Sequence, residues 1–187
     1  MVYSATSSGP VGESLRELVA QFDSSVERSL SGCGRTTLLW SAGLDSSLVA
    51  WSGRHFAHLA ALTLGTEGSH DLRKARQLHS LLDIPWEEHI IDSGDVRRVR
   101  RSWGEELDGL REPVRSVVVA TILGLESSPE RSVVWGQGAD ELFFGYAHFR
   151  RLTLEEAQAR QRLDLARLLD FEWPRAQRIA ESLGHDL

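Results

Sequence analysis

Residues 36–47 read TTLLWSAGLDSS. The first five form a short apolar run that opens with two β-branched residues, a pattern typical of a buried strand. Small residues follow, and a helix is expected from Ser46 to about Gly53. A buried strand therefore leads directly into a helix through a turn at residues 41–47.

The same order of a strand followed by a helix recurs along the chain. Further strands are predicted at residues 58–64, 86–91 and 132–135, and helices at residues 13–30, 71–82, from 95, 113–125, 154–169 and 173–183. Repeated strand–helix units are typical of a parallel sheet whose two faces are covered by helices. We therefore predict an α/β fold, an open parallel sheet with helices on both faces, followed by C-terminal helices.

The length and composition set the domain organisation. A chain of 187 residues, 41% hydrophobic and 26% charged, is expected to form one folded domain with a terminal extension. We assign residues 1–12 to a flexible tail, residues 13–151 to the sheet domain and residues 152–187 to a C-terminal helical extension.

Charge, cysteine content and hydropathy argue against several classes of protein. A net charge of −6 disfavours a surface built for nucleic acid, although the run RRVRR at residues 97–101 is either a solvated helix face or a phosphate contact. Cys33 is the single cysteine, which excludes an intrachain disulfide and fits a reducing cytoplasm. No segment has the roughly 18 apolar residues of a membrane span. We expect a cytoplasmic protein without a membrane anchor.

The turn at residues 41–47 is a candidate phosphate site. In an open parallel sheet, ligands bind beyond the carboxyl ends of the strands, where the backbone amides of a helix N-terminus can face an anion. Ser41, Ser46 and Ser47 add hydroxyl donors. Asp45 would repel phosphate unless a cation lies between them, which favours Mg²⁺. The alternative is a tight turn in which Asp45 or Ser46 caps the next helix.

A second segment reads GQGADEL at residues 136–142 and also follows a predicted strand. Because the carboxyl ends of parallel strands open on the same edge, Asp45 and Asp140 are expected to converge on one ion. Two carboxylates, phosphate oxygens and waters form a reasonable Mg²⁺ site. The alternative is again a turn whose acids cap a helix.

Both segments resemble motifs of a known family. Residues 41–47 closely resemble the SGGLDSS motif of pyrophosphate loops, and residues 136–146 resemble the GEGADELFGGY segment of asparagine synthetases. Between them, residues 64–65 and 68–72 look like the family's second strand end. Over residues 36–151 the chain is thus similar to the C-terminal synthetase domain of asparagine synthetases, in the ATP pyrophosphatase (PP-loop) superfamily.

The resemblance implies a Rossmann-like fold of the adenine nucleotide α-hydrolase type and an ATP-dependent, AMP-forming carbon–nitrogen ligase. Such an enzyme adenylates a small-molecule carboxylate, releases pyrophosphate and then forms an amide, as in amino-acid biosynthesis. ATP and Mg²⁺ are the implied cofactors, with Asp45 and Asp140 as the metal ligands. The residues expected at ATP and its pyrophosphate are Trp40, Ser41, Ala42, Gly43, Asp45, Ser46, Ser47, Leu64, Trp135 and Gly136.

The sequence departs from the family pattern at several places. The N-terminal amidotransferase domain and the usual C-terminal part are missing, so we expect free ammonia or a partner-supplied amine, and a second copy or a partner subunit that completes the site. Ala42 replaces the middle glycine of the loop, which costs backbone freedom if that residue needs a positive φ. Gln137 replaces a glutamate on the acceptor side, which makes it a candidate catalytic residue and argues against aspartate as the substrate.

Other functions remain open at the level of sequence. A noncatalytic nucleotide-binding or regulatory subunit is consistent with Gln137 and the missing C-terminal part. A tRNA-modifying PP-loop enzyme would often use paired cysteines to carry sulfur, and the single Cys33 and the acidic chain argue against it.

Overall fold

A central parallel sheet organises the chain. The computed structural model describes residues 10–187, so residues 1–9 of the predicted tail lie outside it. Within the described range, four strands form one sheet in the order β3-β2-β1-β4, and every neighbouring pair is parallel. The strands are β1 (Arg35–Leu39), β2 (His58–Gly65), β3 (Trp86–Ile90) and β4 (Ser132–Trp135). The predicted open parallel sheet is confirmed.

Helices connect the strands and complete the C-terminal part. They are α1 (Pro10–Leu30), α2 (Leu44–Gly53), α3 (His70–Leu78), α4 (Ser93–Ser102), α5 (Gly104–Leu107), α6 (Glu112–Ser127), α7 (Ala139–Phe143), α8 (Leu154–Arg167) and α9 (Trp173–Leu183). Short 3₁₀ turns occupy His79–Leu81 and Ala147–Arg151, and a π-helical turn at Leu168–Glu172 joins α8 to α9. Across residues 10–187, each helix is too short or too polar to cross a membrane.

Adjacent residues of the central strand contact opposite layers of helices. Leu38 belongs to a buried cluster with Ala50 of α2 and Ala75 of α3. Leu39 packs against a second cluster, which contains Ile122 and other residues of α4, α6 and α9. Because successive side chains of a strand point to opposite faces, the helices cover both faces of the sheet, as predicted.

Helix α6 packs closely against the carboxyl end of β1. A Cβ atom on Gly124 would lie 2.9 Å from Leu39 Cδ1, which is closer than real Cβ atoms come to their neighbours. Glycine therefore lets the helix approach the strand at this point. Ala120 and Thr121, one turn earlier on α6, are thereby held beside the carboxyl end of β1.

The C-terminal helices pack on the sheet domain. Ile179 and Ala180 of α9 are buried in the same cluster as residues of α6 and β4. Beyond α9, the backbone of Asp186 accepts a hydrogen bond from Val133 N at 2.9 Å and donates one to Arg131 O at 2.9 Å. The last residues thus run parallel to the start of β4 in an isolated bridge. The domain boundary that we placed at residue 151 stays a prediction.

Helix α1 begins earlier than its amphipathic pattern indicated. It starts at Pro10 instead of near Glu13, so residues 10–12 belong to a helix and not to a flexible tail. Proline lacks a backbone N–H and has a helical φ, which suits the first turn of a helix. The flexible tail that we assign to residues 1–12 is therefore contradicted at residues 10–12.

Helix α4 also begins earlier than predicted, at Ser93 instead of near Asp95. The reason is a capping box. The side chain of Asp92 accepts hydrogen bonds from the backbone of Gly94 and Asp95, and the side chain of Asp95 accepts one from the backbone of Asp92. This reciprocal cap extends the helix to the residue after Asp92.

Candidate active site

The order of the strands creates a crevice between β1 and β4. The chain adds β2 and β3 on one side of β1 and then returns to place β4 on the other side. In open α/β sheets, ligands bind at this reversal of strand order, outside the carboxyl ends of the two strands. Residues 41–47 follow β1, and residues 136–142 follow β4, so the topology sets both segments at the crevice.

A cleft of about 310 Å³ opens between the two segments. It is lined by the loop after β1, the loop and first turn after β4, and one face of α6. The lining residues are Leu39, Ser41, Gly43, Asp45, Ser46, Ala120, Thr121, Trp135, Gly136, Gln137, Gly138, Asp140, Glu141 and Tyr146. The two segments singled out in the sequence therefore form one concave surface.

The two segments touch through their backbones. A Cβ atom on Gly136 would lie 2.7 Å from Ser46 N and 3.0 Å from the carbonyl carbon of Asp45. Such distances are too short for a real Cβ atom, so only glycine allows the end of β4 to approach the first turn of α2 this closely. Asp45, Ser46 and Gly136 all line the cleft, so this close approach lies at its wall.

No acidic side chain of residues 41–47 or 136–142 caps the helix that follows its segment. The N-cap residue of α2 is Gly43, and no side chain makes a capping hydrogen bond to this helix. The N-cap residue of α7 is Gly138, again without a side-chain cap. The alternative in which Asp45, Ser46 or Asp140 serves as a cap is therefore wrong. The first-turn amides of α2 remain available to an anion.

Serine hydroxyls cross-link the loop after β1. Ser41 Oγ lies 3.2 Å from Ser46 Oγ and accepts a hydrogen bond from Gly43 N at 3.3 Å. The indole Nε1 of Trp40 donates to Ser47 Oγ at 3.0 Å. These bonds hold the loop in one conformation, with Ser41 and Ser46 facing the cleft.

Four of the predicted nucleotide residues do not line the cleft. Trp40 is buried on the α2–α3 side of the sheet, and Ala42 belongs to the same buried cluster. Leu64 packs against the cluster on the opposite face. Ser47 lies one turn into α2 and contacts Trp40. Any contact of these residues with a nucleotide stays a prediction.

The backbone of Ala42 adopts the left-handed conformation, with φ of +56°. An L-residue with a Cβ atom pays roughly 1–2 kcal/mol for this conformation. The costly case named in the sequence analysis, a positive φ at Ala42, is therefore the one that the structure has. Burial of the Ala42 methyl group, which is 4% exposed, offsets part of the cost.

Asp45 and Asp140 influence each other electrostatically. Partial burial raises the pKa of the Asp45 carboxyl above its ordinary value of 3.8, and the negative charge of Asp140 raises it further. A cation between the two carboxylates would relieve this repulsion. Among residues 10–187, no group of three or more His, Cys, Asp or Glu side chains could hold a metal ion. Asp45 and Asp140, which line the same cleft, fit a hard cation that would complete its shell with ligand oxygens and water.

Glu141 is buried at the base of the cleft, with 2% of its surface exposed. The hydroxyl of Tyr146 donates a hydrogen bond to Glu141 Oε1. Burial and this bond raise the pKa of the Tyr146 phenol above its usual value, so it remains a donor at neutral pH.

The turn after α7 also contacts Asp140, because a Cβ atom on Gly145 would overlap Asp140 Oδ1. The turn after α7 thus holds Asp140 in place.

Comparison with known protein families covers most of the chain. The family described as asparagine synthase matches residues 17–185. The chain belongs to the asparagine synthase family. Both segments that form the cleft lie inside the matched region, and so do α6 and the C-terminal helices.

Curated relatives of this asparagine synthase family member are considerably longer than the chain. A putative glutamine-hydrolysing asparagine synthetase 1 of Methanocaldococcus jannaschii is 28% identical over 144 residues, which cover 75% of this chain and 27% of the relative. A glutamine-hydrolysing asparagine synthetase of Cricetulus griseus is 29% identical over 192 residues, which cover 89% of this chain and 32% of the relative. The chain therefore spans less than a third of the length of these relatives.

A similar solved structure is the NH₃-dependent NAD synthetase of Campylobacter jejuni, solved with a nitrate ion. It shares 22% sequence identity with this chain, with a TM-score of 0.49. The similarity covers 71% of this chain and 60% of the synthetase.

Several cleft residues of this asparagine synthase family member were not predicted. Glu141 and Tyr146 lie within residues 136–146, and their spacing across the turn after α7 could have drawn attention to them. Ala120 and Thr121 come from the middle of α6 and carry no local signal. They reach the cleft only because Gly124 lets α6 lie against β1.

The basic run at residues 97–101 lies on α4, away from the cleft. Arg98 forms an ion pair with Glu126 at 2.8 Å, and Arg100 forms one with Glu112 at 3.1 Å. Arg97 donates to Ser93 Oγ at 3.0 Å. These contacts support the reading of a solvated helix face over that of a phosphate site.

Proposed function

We propose that this chain is an ATP-dependent, AMP-forming ligase that activates a carboxylate and converts it to an amide. The observation that carries the proposal is the cleft at the reversal of strand order, which both Asp45 and Asp140 line, next to the uncapped first turn of α2. Membership of the asparagine synthase family supports the same chemistry.

Each side of the cleft has a distinct role in this proposal. The amides at the start of α2 and the hydroxyls of Ser41 and Ser46 donate to the β- and γ-phosphates. Asp45 and Asp140 hold Mg²⁺, which neutralises phosphate charge when bound. Trp135 and Gly136 contact the nucleotide, because both line the cleft at the end of β4.

The reaction has two balanced steps. A carboxylate oxygen attacks the α-phosphorus of ATP, the bond to the bridging oxygen breaks, and pyrophosphate leaves with the electron pair. An amine then attacks the acyl carbon of the mixed anhydride, AMP leaves, and the nitrogen loses a proton. The protein aligns the reactants and stabilises charge, so no side-chain nucleophile is required.

The remaining parts of the proposal concern the amine and the assembly. Ammonia enters free from solution or is supplied by a partner, and a second copy or a partner subunit completes the acceptor side. The reaction takes place in the cytoplasm, where ATP and Mg²⁺ are available. We propose no nucleic-acid substrate, because the basic side chains Arg98 and Arg100 are already paired with acids.

Carboxylate-dependent exchange of labelled pyrophosphate into ATP tests the first step, because only an enzyme that forms the acyl-adenylate catalyses it. Exchange by the chain, lost in Asp45→Asn and Asp140→Asn and retained in Asp83→Asn, at an exposed site outside the cleft, supports the ligase. Mg·ATP binding without exchange for any carboxylate would support the alternative of a noncatalytic nucleotide-binding subunit.

A further inference from the structure

A second pocket adjoins the proposed ATP cleft. It lies between α6, the end of β4, the π-helical turn and α9, and it shares Thr121, Trp135 and Gln137 with the cleft. A ligand in this pocket would present one end to the proposed phosphate site. Part of its wall comes from the π-helical turn at Leu168–Glu172, a conformation that is frequent at functional sites.

Most side chains that line this pocket are apolar. Leu168 and Ile179 form part of its inner wall, and the Trp135 and Trp173 rings lie with their centres 6.1 Å apart. Val117 is 52% exposed and Trp173 is 36% exposed, so the wall retains apolar surface that a ligand could cover. Burial of such surface favours an apolar ligand by about 25 cal/mol per Å².

The charged side chains of the pocket already face opposite charges. Glu172 Oε1 lies 2.9 Å from Arg167 Nε, and Arg175 Nε lies 3.9 Å from Glu106 Oε2. Gln137, at the junction with the cleft, is neutral. The second carboxylate of aspartate could reach Arg175, whose buried Nε has no hydrogen-bond partner. Its ammonium group would lose water without gaining an unpaired partner, because Glu172 is already paired with Arg167.

The volume of the pocket limits the size of its ligand. The space is about 60 Å³, which corresponds to roughly four to six water-sized volumes of about 10–15 Å³ each. A short alkyl group fills such a space, whereas a peptide or a large aromatic acid does not fit it.

We propose that this pocket binds the acceptor of the ligase and that the acceptor is a short aliphatic monocarboxylate. Its alkyl group lies between Val117, Leu168 and Trp173, and its carboxylate lies at Gln137, where it faces the α-phosphate. This assignment rests on the proposed function, because it names the substrate class of the same site.

The test measures binding of two acids by calorimetry to the chain saturated with Mg²⁺ and α,β-methylene-ATP. Isovalerate represents the proposed class, and aspartate represents the acceptor of the asparagine synthetases. We expect isovalerate to bind at least tenfold more tightly than aspartate. Ala176→Leu, which fills the pocket, should weaken isovalerate binding at least tenfold and leave the affinity for the ATP analogue unchanged. Ala159→Leu, on the exposed face of α8, is the matched control and should behave like the wild type.

The possible outcomes separate this inference from the proposed function. Tighter binding of aspartate, or isovalerate binding that Ala176→Leu leaves unchanged, would overturn the assignment of the acceptor while the ATP site stands. Failure of the ATP analogue to bind would overturn the proposed function and the acceptor role with it. Should Ala176→Leu fail to fold, Val117→Asn at the half-exposed rim replaces it and is expected to weaken isovalerate binding as well.

Discussion

Gly136 lies so close to Ser46 that a Cβ atom on the glycine would be only 2.7 Å from the backbone nitrogen of the serine. The contact joins the end of β4 to the first turn of α2, the two elements that border the reversal of strand order. Two segments that are far apart in the sequence thus share one surface. The geometry of the cleft depends on this approach.

Gly136→Ala is expected to destabilise the protein by about 2–4 kcal/mol, because the new methyl group must displace backbone atoms of α2. The same shift separates Asp45 from Asp140 and weakens Mg·ATP binding. Chemical denaturation measures the first effect and calorimetry the second. Gly104→Ala is the control, since a Cβ atom there would contact nothing within 4 Å. Equal stability of the two variants would contradict the close approach.

Ala42→Gly is expected to leave stability within about 0.5 kcal/mol of the wild type. Glycine relieves roughly 1–2 kcal/mol of left-handed strain, but it loses a buried methyl group worth about 0.8 kcal/mol and adds about 0.4–1 kcal/mol of chain entropy to the unfolded state. Ala50→Gly, at a buried helical residue of α2, should instead cost about 1.5–2 kcal/mol. If Ala42→Gly and Ala50→Gly lower the free energy of unfolding equally in denaturant, Ala42 carries no strain.

Asp45→Asn is expected to stabilise the ligand-free chain at neutral pH. Because the folded state raises the pKa of Asp45 above 3.8, the unfolded chain loses its proton first as the pH rises, and folding stability falls through that window. Asparagine cannot ionise, so the variant should be more stable than the wild type at pH 7, and this difference should vanish below about pH 3. Melting temperatures at pH 3, 5 and 7 check the trend. A variant that is less stable than the wild type at pH 7 would contradict the repulsion.

Thr63→Val is expected to lower the free energy of unfolding by about 2 kcal/mol, because the buried hydroxyl of Thr63 makes two hydrogen bonds. Thr63 Oγ1 donates to Trp40 O at 2.7 Å and accepts from Trp86 Nε1 at 3.0 Å. Valine has a similar shape but leaves both groups unpaired. Thr66→Val, at an exposed position past the end of β2, should change the unfolding free energy by less than about 0.5 kcal/mol. Similar losses in both variants would argue against this bridge between the strands.

Local pattern was sufficient to predict the central part of the fold. The apolar run at residues 36–40 and the small residues after it indicated a strand, a turn and a helix, and the structure has all three. The presence of Asp45 and Asp140 in one cleft followed from one physical rule, that parallel strands end on the same edge of a sheet, whereas their convergence on one ion stays a prediction. The order β3-β2-β1-β4 was not predicted, because no local pattern encodes which strands are neighbours.

Side-chain direction was predicted less well than secondary structure. Trp40 was expected at the nucleotide, yet it lies on the same face as Leu38, two residues earlier, and is buried there. The alternation of side chains along a strand could have indicated this. The left-handed φ of Ala42 could not be read from its residue type, because alanine disfavours that conformation.

The proposed acceptor pocket depends on contacts that a sequence does not reveal. Val117 of α6 and Trp173 of α9 are far apart in the chain and meet only through helix packing. The sequence predicted a continuous helix to residue 169, whereas α8 ends at Arg167 and a π-helical turn follows. Such a turn has no clear residue signature. For these reasons only Gln137 was assigned to the acceptor side from the sequence, and Trp135, which also lines the pocket, was assigned to the nucleotide.

Titration calorimetry of ATP into the chain, with and without Mg²⁺, tests the central claim most directly. We predict binding that requires Mg²⁺ and weakens at least about tenfold, or about 1.4 kcal/mol, in Asp45→Asn and in Asp140→Asn, with the exposed Asp83→Asn equal to the wild type. Binding that persists without Mg²⁺, or that is unchanged in both variants, would show that these carboxylates do not form the metal site. No binding of ATP by the folded chain would contradict the proposed function itself.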